Sequence, residues 1–129
     1  MDDDKTVFVD DETEFVDNYV VCFRYVGFGE HPRCIEIYDK AEFTIGRFDP
    51  SVGIQQSDFE FEKKTVAISR RHAVIKKTSS GYSLTDLGST AGTFVADNKL
   101  TSNTSIKLIN GCKVSFGNAG ADYIWEEHV

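Results

Sequence analysis

Arg47, Ser69, Arg70 and Thr90 are the residues of this 129-residue chain best suited to chemistry, and that chemistry is the capture of a small dianion. Arg47 closes Thr44-Ile45-Gly46-Arg47, Ser69-Arg70-Arg71-His72 precedes the apolar run Ala73-Val74-Ile75, and Thr90 lies in Asp86-Leu87-Gly88-Ser89-Thr90-Ala91-Gly92-Thr93. A guanidinium donates two parallel, charge-assisted hydrogen bonds to a phosphate, and hydroxyls add further donors. Gly46 suits a sharp backbone turn that aims Arg47 off the end of a strand. His72 has no cysteine, serine and acid arrangement around it, which argues against a catalytic role. Arg71 reads as a solvated residue, and Ser89 and Thr93 as internal braces. His31 and Cys34 are near each other, but no second pair completes a tetrahedral metal set. No metal and no cofactor are expected.

The elements that must position these residues read as short strands broken by turn signals, the pattern of a sandwich or barrel. Tyr19–Tyr25, Cys34–Tyr38 and Ala41–Ile45 are apolar or alternating runs, and Phe59 and Phe61 mark a brief strand after a long loop. His72–Lys77 and Gly81–Leu87 read as a hairpin turning at Ser79-Ser80-Gly81. Gly92–Val95 follows, then Ser105–Ile109 and Lys113–Phe116 joined by Asn110-Gly111, the dipeptide favoured by a type I′ hairpin turn. Asp122–Glu127, carrying Trp125, reads as a closing strand. No window keeps a 3.6-residue apolar period, so no major helix is expected.

Charge is unevenly placed. Residues 1–17 hold eight acids against Lys5, which accounts for the whole net charge of −7, while residues 18–129 balance 13 acids against 13 bases. A nucleic-acid binder usually shows a net basic domain, and this body is neutral. No run of about 18 apolar residues exists to span a membrane, and the acidic start is the opposite of a signal peptide. Cys22, Cys34 and Cys112 are odd in number and set among apolar residues, so they read as buried free thiols of a reducing compartment, with the cytoplasm as default. The acidic segment repeats itself: Thr6-Val7-Phe8-Val9-Asp10 recurs as Thr13-Glu14-Phe15-Val16-Asp17. It reads either as a flexible solubilising arm or as a recognised motif.

The ordered set Gly46-Arg47, Ser69-x-x-His72 and Ser89-Thr90-Ala91-Gly92-Thr93, with the late Leu108-Ile109-Asn110-Gly111 and Val114-Ser115-Phe116-Gly117, resembles the forkhead-associated (FHA) domain over about residues 18–129. The extended Gly46-Arg47-Phe48-Asp49-Pro50 segment resembles a bacterial subgroup. The resemblance implies an all-β sandwich of two twisted sheets and about ten or eleven strands, FHA/SMAD-like, preceded by an acidic arm over residues 1–17. It implies a noncatalytic reader of phosphothreonine in protein partners, downstream of Ser/Thr kinases. Arg47, Ser69, Arg70, Thr90 and Ala91 would line the phosphopeptide site, and Gly46, His72 and Gly92 would support its loops. Ala91 departs from the family's asparagine, whose amide holds the bound peptide's backbone. The alternative is therefore a phosphate-independent interaction module with a degenerate site. Thr6 and Thr13 resemble phosphorylatable tail threonines of bacterial FHA regulators, which implies the chain's own tail as a ligand in cis or in trans.

Overall fold

The computed structural model describes residues 20–37, 40–65 and 67–128. The acidic arm with Thr6 and Thr13 lies outside the described residues. Eleven strands are present: β1 (Val20–Tyr25), β2 (Cys34–Ile37), β3 (Glu42–Arg47), β4 (Phe59–Phe61), β5 (Ala73–Thr78), β6 (Gly81–Asp86), β7 (Thr93–Val95), β8 (Asn98–Lys99), β9 (Ser105–Leu108), β10 (Lys113–Phe116) and β11 (Asp122–His128). They form a sandwich of one sheet in the order β9-β6-β5-β3-β4 and a second in the order β2-β1-β11-β10-β7-β8. The β3–β4 pair is parallel, and the other ladders are antiparallel. Among the described residues there is no helix, hence none long and apolar enough to cross a membrane.

Strand alternation builds the core. Phe43 and Ile45 on β3, Ile35 and Ile37 on β2, and Val21 and Phe23 on β1 point inward and are buried. Rings fill the space between the sheets. Phe23 lies 4.9 Å from Trp125 and 5.3 Å from Phe116, and Trp125 reaches Tyr82 of the opposite sheet at 5.4 Å. Such tilted and edge-on pairs add to the burial of apolar area. The outer strands β2, β4, β8 and β9 have four residues or fewer, which leaves little edge for unwanted pairing.

Register fixes which loops meet. Ile45 pairs with Ala73 and Ala73 with Asp86, so the end of β3, the start of β5 and the end of β6 share one end of the sandwich. Thr93 pairs with Phe116, whose ring lies 6.0 Å from that of His72 just before β5, so the start of β7 reaches that same end. Val20 pairs with His128 at the opposite end.

Two sequence expectations need correction. Cys34 is exposed, because it occupies an outward position at the start of the edge strand β2; Cys22 is buried and Cys112 half-buried. Burial, with the neighbouring Cys34, pushes the Cys22 thiol up to about 12. Asn110-Gly111 does not close a hairpin, since β9 and β10 belong to different sheets. Gly111 alone takes positive φ (90°) and Cys112 N bonds to the Ile109 carbonyl at 3.0 Å, as in a type II turn. The two-residue hairpin turn with both φ values positive is Ala96-Asp97 (51° and 67°), between β7 and β8. Alanine has no preference for that conformation, so the sequence hides it. Replacing Ala96-Asp97 by Asn-Gly should stabilise the domain by about 1 kcal/mol, read as a rise in Tm, because a left-handed alanine costs about 1–2 kcal/mol. An unchanged or lowered Tm would contradict this assignment of the turn.

Candidate functional site

The loops after β3, before β5 and after β6 are held by main-chain groups. Gly46 lies inside β3 rather than in a turn, and its φ is not positive. Its role is close approach: a Cβ there would sit 1.8 Å from the Arg70 carbonyl oxygen and 2.5 Å from Ser57 Oγ. That carbonyl accepts from Arg47 N (3.3 Å) and from Ser57 Oγ (2.9 Å), so the loop carrying Ser69 and Arg70 is pressed onto the strand end. The long β3–β4 loop is pinned as well. Glu60 receives the amides of Gln56 (2.6 Å) and Ser57 (3.0 Å), and Asp58 receives Thr44 N and Oγ1 (2.9 and 3.0 Å).

Arg47 donates Nε to the Ile68 carbonyl at 2.6 Å, which fixes the plane of its half-buried guanidinium and leaves the outer nitrogens for a ligand. Ser69 Oγ accepts the amide of Thr90 at 3.0 Å, tying the two loops together while its hydroxyl proton stays available. Thr90 is exposed, and among the described residues its hydroxyl makes no hydrogen bond. Arg70 is exposed, with Nη1 3.5 Å from Asp49 Oδ2. Arg71 is exposed, and Ala91 is half-buried beside Gly92. The structure thus brings Arg47, Ser69, Arg70, Thr90 and Ala91 to one end of the sandwich.

His72 is fully buried. Its Nδ1 accepts the Ser69 amide (3.1 Å) and its Nε2 donates to the Gly92 carbonyl (2.8 Å), an arrangement that requires the neutral ring. Gly92, at φ 91°, shares that carbonyl with the amide of Gly117 (2.8 Å). Burial lowers the His72 pKa from its ordinary value, against the opposing pull of Gly92 and Asp86.

Asp86 and Asp49 are site residues that the sequence reasoning passed over. The buried Asp86 carboxylate accepts from Gly88 N (3.0 Å), Ser89 N (3.1 Å), Thr93 Oγ1 (2.7 Å), Ser102 Oγ (3.1 Å) and the Ser89 hydroxyl. Burial works to raise its pKa, but these bonds, with Ser89 and Thr93 foremost, hold it below the usual carboxylate value. The available signal was an acid at a strand end followed by Gly-Ser, the mark of an Asx-type turn.

A cleft of about 860 Å³ lies elsewhere, among Tyr25, His31, Phe59, Phe61 and Lys64. It contains none of the arginine cluster, which is an open surface of loops. The described residues hold no group of three or more side chains fit to bind a metal.

A family model for the FHA domain matches residues 43–117, more than half of the chain. The chain belongs to the FHA family. As an FHA domain it is a noncatalytic module. The fold is similar to the solution structure of the FHA domain of a hypothetical Arabidopsis thaliana protein, at 20% identity and TM-score 0.71, covering 86% of this chain and 87% of that one. It is also similar to an FHA domain analysed for phosphothreonine-dependent interactions, at 23% identity and TM-score 0.64, covering 85% and 98%. EmbR of Mycobacterium tuberculosis, in complex with a low-affinity phosphopeptide, matches at 21% identity and TM-score 0.65, covering 85% of this chain and 25% of that one. No curated protein matches.

The buried neutral His72 gives a pH dependence with a definite sign. Its folded pKa lies below the ordinary 6.5, so the unfolded chain takes up the proton first. The stability it contributes is present above that pH and is lost as pH falls through 6.5 and below. Tm measured from pH 7.5 to 5.5 should fall in the wild type and stay nearly flat in His72→Gln. His72→Ala should also cost about 2–4 kcal/mol, through the cavity and the orphaned Ser69 amide. Parallel Tm profiles for wild type and His72→Gln would count against the neutral-histidine brace.

Proposed function

We propose that this FHA domain reads phosphothreonine in protein partners, with residues 18–129 as the reading module and residues 1–17 as an acidic arm. It acts in the cytoplasm, downstream of Ser/Thr kinases of a bacterial cell. The observation that carries this reading is the convergence of Arg47, Ser69, Arg70 and Thr90 on one loop surface, with the Thr90 hydroxyl unengaged and the Arg47 plane fixed. The named relatives support it, since one was studied for phosphothreonine-dependent interactions and another holds a phosphopeptide. A phosphothreonine brings roughly −1.5 to −2 charges at neutral pH and three acceptor oxygens, which match two guanidiniums and two hydroxyls. Ala91 favours a second reading, a phosphate-independent interaction module, because its methyl offers a peptide backbone no hydrogen bond.

Titration with a phosphothreonine peptide library and its unphosphorylated twin separates the two readings. Arg47→Ala should weaken phosphopeptide binding roughly 10- to 100-fold, the loss of a charge-assisted bond of about 1.5–3 kcal/mol. Thr90→Val should weaken binding without lowering Tm, because the hydroxyl makes no hydrogen bond among the described residues. Ala91→Asn should tighten binding by restoring an amide. Equal affinity for phosphorylated and unphosphorylated peptides would establish the second reading instead.

The acidic arm is proposed as a ligand of the same site. Its attachment at Val20 lies at the far end of the sandwich from Arg47 and Thr90, so a tail folding back must first run the length of β1, about 17 Å at ~3.3 Å per residue. Six residues lie between Thr13 and Val20, which gives Thr13 a reach of about 24 Å even fully extended, whereas Thr6 has about 48 Å. After that run Thr13 keeps about 7 Å, less than the ~10 Å between stacked sheets that separates β1 from the strand carrying Arg47, so Thr6 is the candidate in cis and Thr13 engages a neighbouring chain. After phosphorylation of Thr6, NMR signals of Arg47, Ser69 and Thr90 should shift independently of protein concentration; after phosphorylation of Thr13 the shift should grow with concentration. Signals that stay put in both forms would remove the tail as a ligand.

A further inference from the structure

Asp49 stands among the arginines that the proposed function assigns to phosphate, and nothing in that function uses it. Its Oδ1 accepts both Ser51 N (3.0 Å) and Ser51 Oγ (2.6 Å), while Oδ2 lies 3.5 Å from Arg70 Nη1. One oxygen thus anchors the carboxylate in the β3–β4 loop and the other faces the guanidinium. Its side chain is 21% exposed against 52% for Arg70, so the acid is the fixed partner and the arginine the movable one. The two Ser51 bonds, then the charges of Arg70 and Arg47, hold the Asp49 carboxyl below its usual value.

We propose that Asp49 is an internal competitor for Arg70, which a phosphate dianion displaces and a carboxylate does not. The inference rests on the reading of this loop surface as a phosphate site. Two exposed charges at the surface attract weakly, and exchanging one carboxylate for another gains almost nothing. A tethered carboxylate also holds the advantage of high effective concentration over one in solution. A phosphate carries nearly twice the charge, and its pull on the two guanidiniums rises in proportion. The pair therefore acts as a threshold that admits dianions and turns away aspartate and glutamate side chains. This chain needs such a threshold, because residues 1–17 carry eight carboxylates on the same molecule. Without Asp49, unphosphorylated acidic segments would settle on Arg70 and blunt the response to phosphorylation.

Asp49→Asn removes the charge and keeps an Oδ1 acceptor for Ser51, so it separates electrostatics from loop structure. Inorganic phosphate and acetate are titrated separately, at pH 7.5 and low salt, into the ¹⁵N-labelled full chain while the Arg70 Nε signal is followed. In the wild type, phosphate should move that signal and acetate should not. In Asp49→Asn, half-saturation by phosphate should fall roughly 3- to 10-fold, and acetate should now produce a shift. An unchanged or weaker phosphate response, with the Ser51 amide signal retained, overturns the proposal. Should the variant lose that amide signal, the Asp49 carboxyl itself is titrated in wild type and in Arg70→Ala. Its midpoint should rise in Arg70→Ala, and an unmoved midpoint overturns the proposal equally. Failure of the phosphothreonine library with these ion responses intact would remove the proposed function and leave the competitor standing. Binding of the library with no Asp49 effect would do the reverse.

Discussion

Asp86 ends β6 with a buried carboxylate, and a buried charge is tolerated only when its lone pairs are filled. The chain fills them locally, with the amides of Gly88 and Ser89 and the hydroxyls of Ser89, Thr93 and Ser102. Those bonds set the path of residues 87–92, and Thr90 and Ala91 sit on that path. Its end is held by His72, which bridges the Ser69 amide and the Gly92 carbonyl. Ser69 then reaches back to Thr90 N. The two loops are one hydrogen-bonded unit, and its two buried titratable members, Asp86 and His72, must be charged and neutral respectively for it to persist.

The strands and the three loop motifs were legible in the sequence because each leaves a local mark: alternation, a glycine, a Ser-x-x-His spacing. The reason for Gly46 was not legible. A glycine at a strand end suggests a turn, yet this one is required by a carbonyl from a loop more than twenty residues further on, which no local pattern reports. Asn110-Gly111 had the right residues for a hairpin and the wrong neighbours, since the two strands it joins are drawn into opposite sheets by their buried faces. Ala96-Asp97 shows the converse. The short β7–β8 ladder imposes left-handed conformations on residues that do not announce them. Cys34 follows the same logic, since alternation on an edge strand decides exposure, whereas residue type alone suggested burial.

Asp49 was invisible for a different reason. In sequence it belongs to a Phe-Asp-Pro-Ser turn and is explained by it, through the bonds to Ser51. Only the fold places Arg70, from a separate loop, against its second oxygen. A residue can satisfy one local rule completely and still carry a second interaction that depends on the whole topology. Charged residues at loop ends are where this happens most readily, because a carboxylate has more acceptor sites than one turn consumes.

The recognition end is therefore stiff for a loop surface, and stiffness has a direct consequence for binding. Ordering mobile side chains and loops on association costs about 0.5–1.5 kcal/mol for each rotamer-rich side chain immobilised. Here the Arg47 plane is set by the Ile68 carbonyl, Ser69 by Thr90 and His72, and the β3–β4 loop by Glu60 and Asp58, before any ligand arrives. The Arg70 side chain is the exception, exposed and, among the described residues, held only by a weak pair. On the proposed phosphate reading, a rigid cradle with one movable guanidinium would spend its binding energy where the charge of the ligand is tested. Under the proposed reading, affinity would depend on fixed groups, and discrimination between one negative charge and two would depend on the single side chain that must change partners.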